Sequence, residues 1–151
     1  MFHLLAFGIA LSSPATEPKL LPPPQPIIVD GRVLRLASFF DKYQCPHPHY
    51  IRDYLHAADK YALDYRLLPA ISVRESTCGQ HTPSVTNHWG WDSARRGFKS
   101  VPEGIAYIAK RLAMGPAYEN KPIIRKLEVY NPQPFYAREV QKLMREIDSH
   151  P

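Results

Sequence analysis

The chain is poor in cysteine: it has two, Cys45 and Cys78, with no CxxC pair and no Cys/His spacing of the kind that holds structural zinc. That excludes zinc fingers and ribbons. His47-Pro48-His49 lacks a matching second pair of donors, so no metal site is expected there and no cofactor is called for. Long hydrophobic runs are also missing. Residues 4–11 (LLAFGIAL) are apolar but far short of the roughly 20 residues that span a bilayer, and no later stretch is long enough. There is no self-similarity at solenoid periods. No nucleic-acid-binding motif is present, so that class would rest on charge alone and is not expected.

Proline, in contrast, is abundant, and six prolines lie between Pro14 and Pro26. Proline removes backbone donors and fixes φ, so this piece reads as an extended linker. The apolar run before it, followed by the small residues Ser13 and Ala15, reads as a signal peptide even though no Lys or Arg precedes the run. The expected organisation is a signal segment over 1–15, a Pro-rich linker over 16–26 and one domain over 27–151. Export would make a disulfide between Cys45 and Cys78 the natural state of the pair. Lys and Arg outnumber Asp and Glu by 19 to 14, which suits a polyanionic partner such as a bacterial wall without selecting it.

The domain reads as all-α, with about five helices. Residues 27–44 are ambiguous, since Asp30-Gly31 can turn a small hairpin while residues 34–43 can form a short helix. From His49 the helical period is clear, with Ile51, Tyr54, Leu55, Ala58 and Ala62 on one face. A second helix, capped by Asp64, should begin near Arg66 so that Pro69 falls in its first turn, and end at Gly79. Residues 79–99 have no helical period and form a long loop, which in a small domain tends to be functional. Ser100 and Glu103 form a capping box that opens a third helix, stopped by Gly115-Pro116. A fourth fits 122–130. A fifth fits 135–147, with Tyr136, Val140, Leu143 and Ile147 on one stripe.

Chemistry concentrates on the second of these helices. At about 100° per residue, Leu67, Leu68, Ile71, Glu75 and Cys78 share one side. A carboxylate continuing an apolar stripe loses hydration, and the negative end of the helix dipole adds to the effect; both favour the protonated form that a general acid needs. A Glu bent out to solvent would be inert. The following loop holds Asn87, His88, Trp89, Gly90 and Trp91. Aromatic faces stack on sugar rings, Asn binds acetamido or hydroxyl groups, and Gly90 lets backbone pass close to a ligand. Trp89 fits equally a core position. Tyr130-Asn131 closes the fourth helix.

In their order, "LLPAISVRES", the Asn and aromatic-Gly loop, a capped helix and "KLEVYNPQPFYAREV" resemble the lysozyme-like superfamily of lytic transglycosylases and peptidoglycan N-acetylglucosaminidases. The likeness runs from about Tyr50 to Ile147, and Glu75-Ser76 with Tyr130-Asn131 are its specific parts. It implies a lysozyme-like domain in which Glu75 protonates the glycosidic oxygen and Tyr130 supports the transition state beside it. Ser76 would orient Glu75 or bind substrate, and Asn87, Trp89, Gly90, Trp91 and Asn131 would line the substrate path. The Gly-Leu-Met-Gln stretch usual after the Glu-Ser pair of transglycosylases is missing, which leaves bond preference and product type open. A two-carboxylate hydrolase needs a second acid, and Asp92 is the one carboxylate in the loop. The function expected is therefore cleavage of peptidoglycan glycan strands by a monomeric secreted or periplasmic bacterial enzyme. The alternative is an inactive wall-binding module on the same scaffold.

Overall fold

A computed structural model describes residues 30–149; the expectations for the signal segment, the linker and residues 27–29 lie outside the described residues. The described residues are all-α, with no strand. Six helices follow one another: α1 (Gly31–Lys42), α2 (Ile51–Tyr61), α3 (Leu67–Ser76), α4 (Val101–Met114), α5 (Ile123–Tyr130) and α6 (Tyr136–Asp148). None is long and apolar enough to cross a membrane.

The helix beyond the expected five is α1, which resolves the ambiguity at 27–44 against a hairpin. Asp30 does not turn the chain. Its carboxylate accepts the Arg32 backbone N–H at 2.9 Å and caps the helix instead. The Arg32 guanidinium then bridges Asp30 and Asp59, tying α1 to α2. Leu36, Phe39 and Phe40, spaced i, i+3, i+4, carry the buried face.

Val73 lies off the stripe read from sequence, which points to contact on two sides of α3, and residues 67–73 and Ser76 are all buried, so the helix runs through the core. Only Arg74 and Glu75 reach solvent, and Arg74 is bonded to Glu139 of α6. Pro69 sits in the first turn, where its missing N–H costs nothing. The helix ends at Ser76, earlier than Gly79, because Thr77 and Cys78 both turn left-handed. Cys78 is thereby carried to Cys45, and the two form a disulfide with Cα atoms 5.4 Å apart. The bond fastens the end of α3 to the segment after α1.

The capping box at α4 forms as read: Ser100 Oγ accepts the Glu103 N–H at 3.2 Å, while the Glu103 carboxylate reaches back to the Lys99 N–H at 2.6 Å. On α6, Met144 rather than Leu143 fills the buried stripe beside Val140 and Ile147. Helix α3 packs on α6 and α2 on α4, while α6 also packs on α1 and α5.

Candidate functional site

The loop after α3 is held by side chains that replace the hydrogen-bonding ladder it lacks. Trp89 is 0 % exposed and is the largest buried side chain; its indole N–H donates to the Leu68 carbonyl at 3.2 Å. Helix α4 can close onto this ring because residue 104 is glycine: a Cβ there would stand 2.7 Å from the indole. Ser76 Oγ donates to the His88 carbonyl at 2.7 Å, and the Tyr130 hydroxyl donates to the Trp89 carbonyl at 2.5 Å. Residues 88–90 are thus clamped between α3 and α5.

This clamp sets Gly90 against the catalytic candidate. Gly90 has φ +60°, and a Cβ on it would lie 2.8 Å from Glu75 Oε2. Both facts demand glycine, because an L side chain is strained in that backbone region and would strike the carboxylate. Glu75 is therefore half-buried at the end of a core helix, with its carboxylate lying over bare backbone.

The carboxylate opens on a cleft of about 700 Å³ lined by Glu75, Gly90, Trp91, Tyr107, Tyr118, Tyr130 and Asn131, with Asp92, Arg96 and Arg111 adding charge. Trp91 is its central wall, with ring centroids 6.0 Å from Tyr107, 6.4 Å from Tyr118 and 5.7 Å from Tyr130. Such a cleft offers broad aromatic faces, peptide edges and one half-buried acid, in the size range of small-ligand sites. A second hollow of about 310 Å³ adjoins it and shares Trp91, Asp92, Arg96 and Tyr107.

Of the expected site residues, Glu75, Gly90, Trp91, Tyr130 and Asn131 come together on this cleft. Ser76, Asn87 and Trp89 do not. Asn87 is 0 % exposed and its amide is fully engaged, donating to the Trp91 and Arg96 carbonyls at 2.9 and 3.0 Å and accepting the Trp91 N–H at 3.1 Å. That amide serves the fold of the loop, and Asn87 does not line the cleft. Ser76 is buried and joined to His88 and to the Gly79 N–H, so it braces the loop and does not line the cleft either. Trp89 belongs to the core. Asp92 lines the cleft but is bonded to Arg95 at 3.0 Å.

Tyrosines prove more prominent than the sequence suggests. Tyr130 and Tyr136 stack with centroids 6.2 Å apart and planes 6° from parallel. Burial first, and then the negative charge of Glu75, push both phenols well above their ordinary range. Among the described residues the buried Tyr136 hydroxyl has no partner in full hydrogen-bond geometry, and Glu75 is the chief charge acting on it. Tyr136 is the buried stripe residue that the sequence reading makes it, and it also stands behind the acid. Tyr107, Arg111, Tyr118 and Arg96 were also overlooked. The available signal was on α4, where Tyr107 and Arg111 sit i, i+4 on the polar face. Lys126 is a hidden brace: its buried ammonium donates to the Leu112 and Tyr118 carbonyls at 2.6 and 2.7 Å, fixing the turn that carries Tyr118.

Away from the cleft, Asp41, His47 and His49 bring donor atoms within 4.8 Å of one another, a convergence the HPH pair alone did not suggest. The two imidazoles stack with centroids 4.0 Å apart, and His49 Nε2 lies 3.1 Å from the Cys45 carbonyl oxygen, so one nitrogen already serves the disulfide turn.

Comparison with models of known families, with curated proteins and with solved structures finds no match to this chain.

Proposed function

We propose that this protein is a peptidoglycan-cleaving enzyme of lysozyme-like type, a lytic transglycosylase or glycoside hydrolase, with Glu75 as general acid. The observation that carries the reading is the seat of Glu75: a half-buried carboxylate at the end of a core helix, over Gly90, in a cleft walled by Trp91, Tyr107 and Tyr118. Aromatic walls take sugar rings face-on. Held there, the glycosidic oxygen would receive the Glu75 proton as its bond to C1 breaks. The positive charge left on the sugar would be met by water, or by the substrate's own N-acetyl or 6-hydroxyl group. The second route needs only one protein carboxylate. It is favoured by the pairing of Asp92 with Arg95, which engages the one acid of the loop. Tyr130 fixes the Trp89–Gly90 backbone beneath the acid, and Tyr136 stands behind it. The Cys45–Cys78 disulfide and the basic composition fit an exported protein that acts on an anionic wall.

Glu75→Gln tests the reading. It keeps shape and removes the transferable proton. Cleavage of purified peptidoglycan should fall by about 10² or more, while sacculus binding and thermal stability stay near wild type. Undiminished cleavage by this variant would sink the assignment. Binding by a wild-type protein that never cleaves would favour the inactive wall-binding module. Mass spectrometry of the soluble products separates anhydro from hydrolysed ends.

A further inference from the structure

Five of the eleven arginines are paired with a carboxylate; of the six without an ion pair among the described residues, Arg35, Arg52, Arg138 and Arg145 do not line the Glu75 cleft, and Arg96 and Arg111 do. Arg32, Arg66, Arg74, Arg95 and Arg125 each hold a carboxylate of the protein. Arg96 and Arg111, both exposed and both lining the Glu75 cleft, have no side-chain hydrogen bond or ion pair among the described residues. Of the acids on that lining, Asp92 is taken by Arg95, which leaves Glu75 alone. In the adjoining hollow the Glu103 carboxylate is turned to the Lys99 N–H.

The two guanidinium groups stand on well-fixed supports. Arg111 lies one turn after Tyr107 on the outer face of α4, and its charge reaches Tyr118, where it opposes the upward push of burial on that phenol. Arg96 has its own carbonyl pinned by the Asn87 amide, and it lines both the cleft and the adjoining hollow. Trp91 and Tyr107 line both spaces with it, so the charge sits beside the aromatic wall. Both guanidinium groups line the cleft without a paired carboxylate of the protein, and the planar fork of arginine suits a carboxylate brought by a ligand.

We propose that Arg96 and Arg111 form a carboxylate subsite in the cleft, so that the strand taken is an amino-sugar polymer bearing acidic substituents and not a neutral one. The proposal rests on the glycan-cleaving reading above and adds what selects the strand. The carboxylate has two chemical sources, the lactyl ether group of a peptide-free muramyl residue or an acid of an attached stem peptide; both present the same group to the same fork.

The test uses the turnover-blocked Glu75→Gln protein and calorimetric titration with strands of N-acetylglucosamine and N-acetylmuramic acid. One sample carries free lactyl carboxylates, one carries the same groups as methyl esters, and one retains stem peptides. The free-acid strand should bind about tenfold more tightly than the ester, the scale of one charge-assisted contact. That advantage should shrink with salt and vanish in the Arg96→Gln, Arg111→Gln double variant. Arg→Lys at both positions should restore part of it, since charge returns without the fork. A double variant with an unchanged melting temperature and an unchanged acid-to-ester ratio overturns the subsite. So does equal binding of acid and ester by the unmodified arginines. If the stem-peptide strand shows the larger arginine-dependent gain, the subsite stands and the peptide is its source. Loss of the subsite while wild-type protein still cleaves peptidoglycan leaves the glycan-cleaving reading intact; failure to bind any of the three strands removes both.

Discussion

Two irregular stretches approach Glu75, one from residues 77–99 and the other from residues 131–135, and they are held by different means. The long stretch is folded by its own buried polar groups: Asn87 closes on Trp91 and Arg96, Thr86 pairs with both the N–H and the carbonyl of Phe98, and His88 meets the Val85 carbonyl. The short stretch contains Pro132 and Pro134, a single side-chain bond from Asn131 Oδ1 to the Gln133 N–H at 3.1 Å, and Phe135 exposed at φ +72°. A long loop must satisfy many backbone groups without a ladder, so its Asn, Ser and Thr are turned inward. In a short turn proline restricts the chain directly. The lesson for site reading is that residue types suited to ligands are the same types that fold long loops. In this cleft the open aromatic and cationic groups come from both kinds of element: Trp91 and Arg96 from the long stretch, Tyr107, Arg111 and Tyr130 from helices, and Tyr118 from the turn between α4 and α5.

Substitutions on the two stretches should separate these roles. Trp89→Ala empties the largest buried position and cuts the loop from α3, so a loss of about 3–5 kcal/mol is expected by denaturant titration. Near-wild-type stability would mean that the loop does not depend on its indole anchor. Asn87→Ala leaves the Trp91 N–H and two carbonyls without their partner, and a loss of about 2–3 kcal/mol is expected. Cleavage by the surviving folded fraction should stay close to wild type, since this amide faces the loop. A selective loss of substrate binding at unchanged stability would restore Asn87 as a ligand contact. Asn131→Ala, the counterpart in the short turn, removes one exposed bond and should cost about 0.5–1 kcal/mol. A larger loss there would erase the contrast between the stretches.

Much of the helical fold is legible from local rules. The capping box at Ser100, the breaks at Gly115-Pro116 and Asn131-Pro132, and the placement of Pro69 in the first turn depend on neighbours in sequence, and the structure reproduces them. What sequence leaves open depends on distant partners. Whether Asp30 turns a hairpin or caps a helix is decided by the packing of Leu36, Phe39 and Phe40 and by Asp59 across the chain. The burial of Trp89 depends on Gly104, fifteen positions away, having no side chain. Glu75 could be picked out as an acid continuing an apolar stripe, Gly90 as a glycine between two tryptophans, and Tyr130 through the Tyr-Asn pair of the resemblance. Tyr107, Arg111 and Tyr118 look like ordinary surface residues until the loop folds toward them.

The smallest effect concerns pH and His88, again on the long stretch. Burial holds its imidazole pKa below the ordinary value, and Nε2 donates to the Val85 carbonyl only while protonated at that nitrogen, a condition the neutral ring already meets. The unfolded chain therefore takes up a proton on this residue near pH 6.5, before the folded one does. Stability from this group is complete above that pH and declines as pH falls toward the lower folded value, because the extra proton goes to the unfolded state. One proton sets a ceiling of about 1.4 kcal/mol per pH unit. The carboxylates with lowered pKa values, Asp30, Asp59, Asp64 and Glu146, act only at more acid pH, and within the window from 6.5 to 5 the difference between wild type and a His88 variant reads this histidine. His88→Gln keeps a donor toward Val85 and removes the titration. Melting temperatures taken across that window should fall for the wild type and stay flatter for the variant. Parallel curves would show that the imidazole is as free to ionise in the folded loop as in the open chain, and that the loop is less tightly closed at this point than at Asn87.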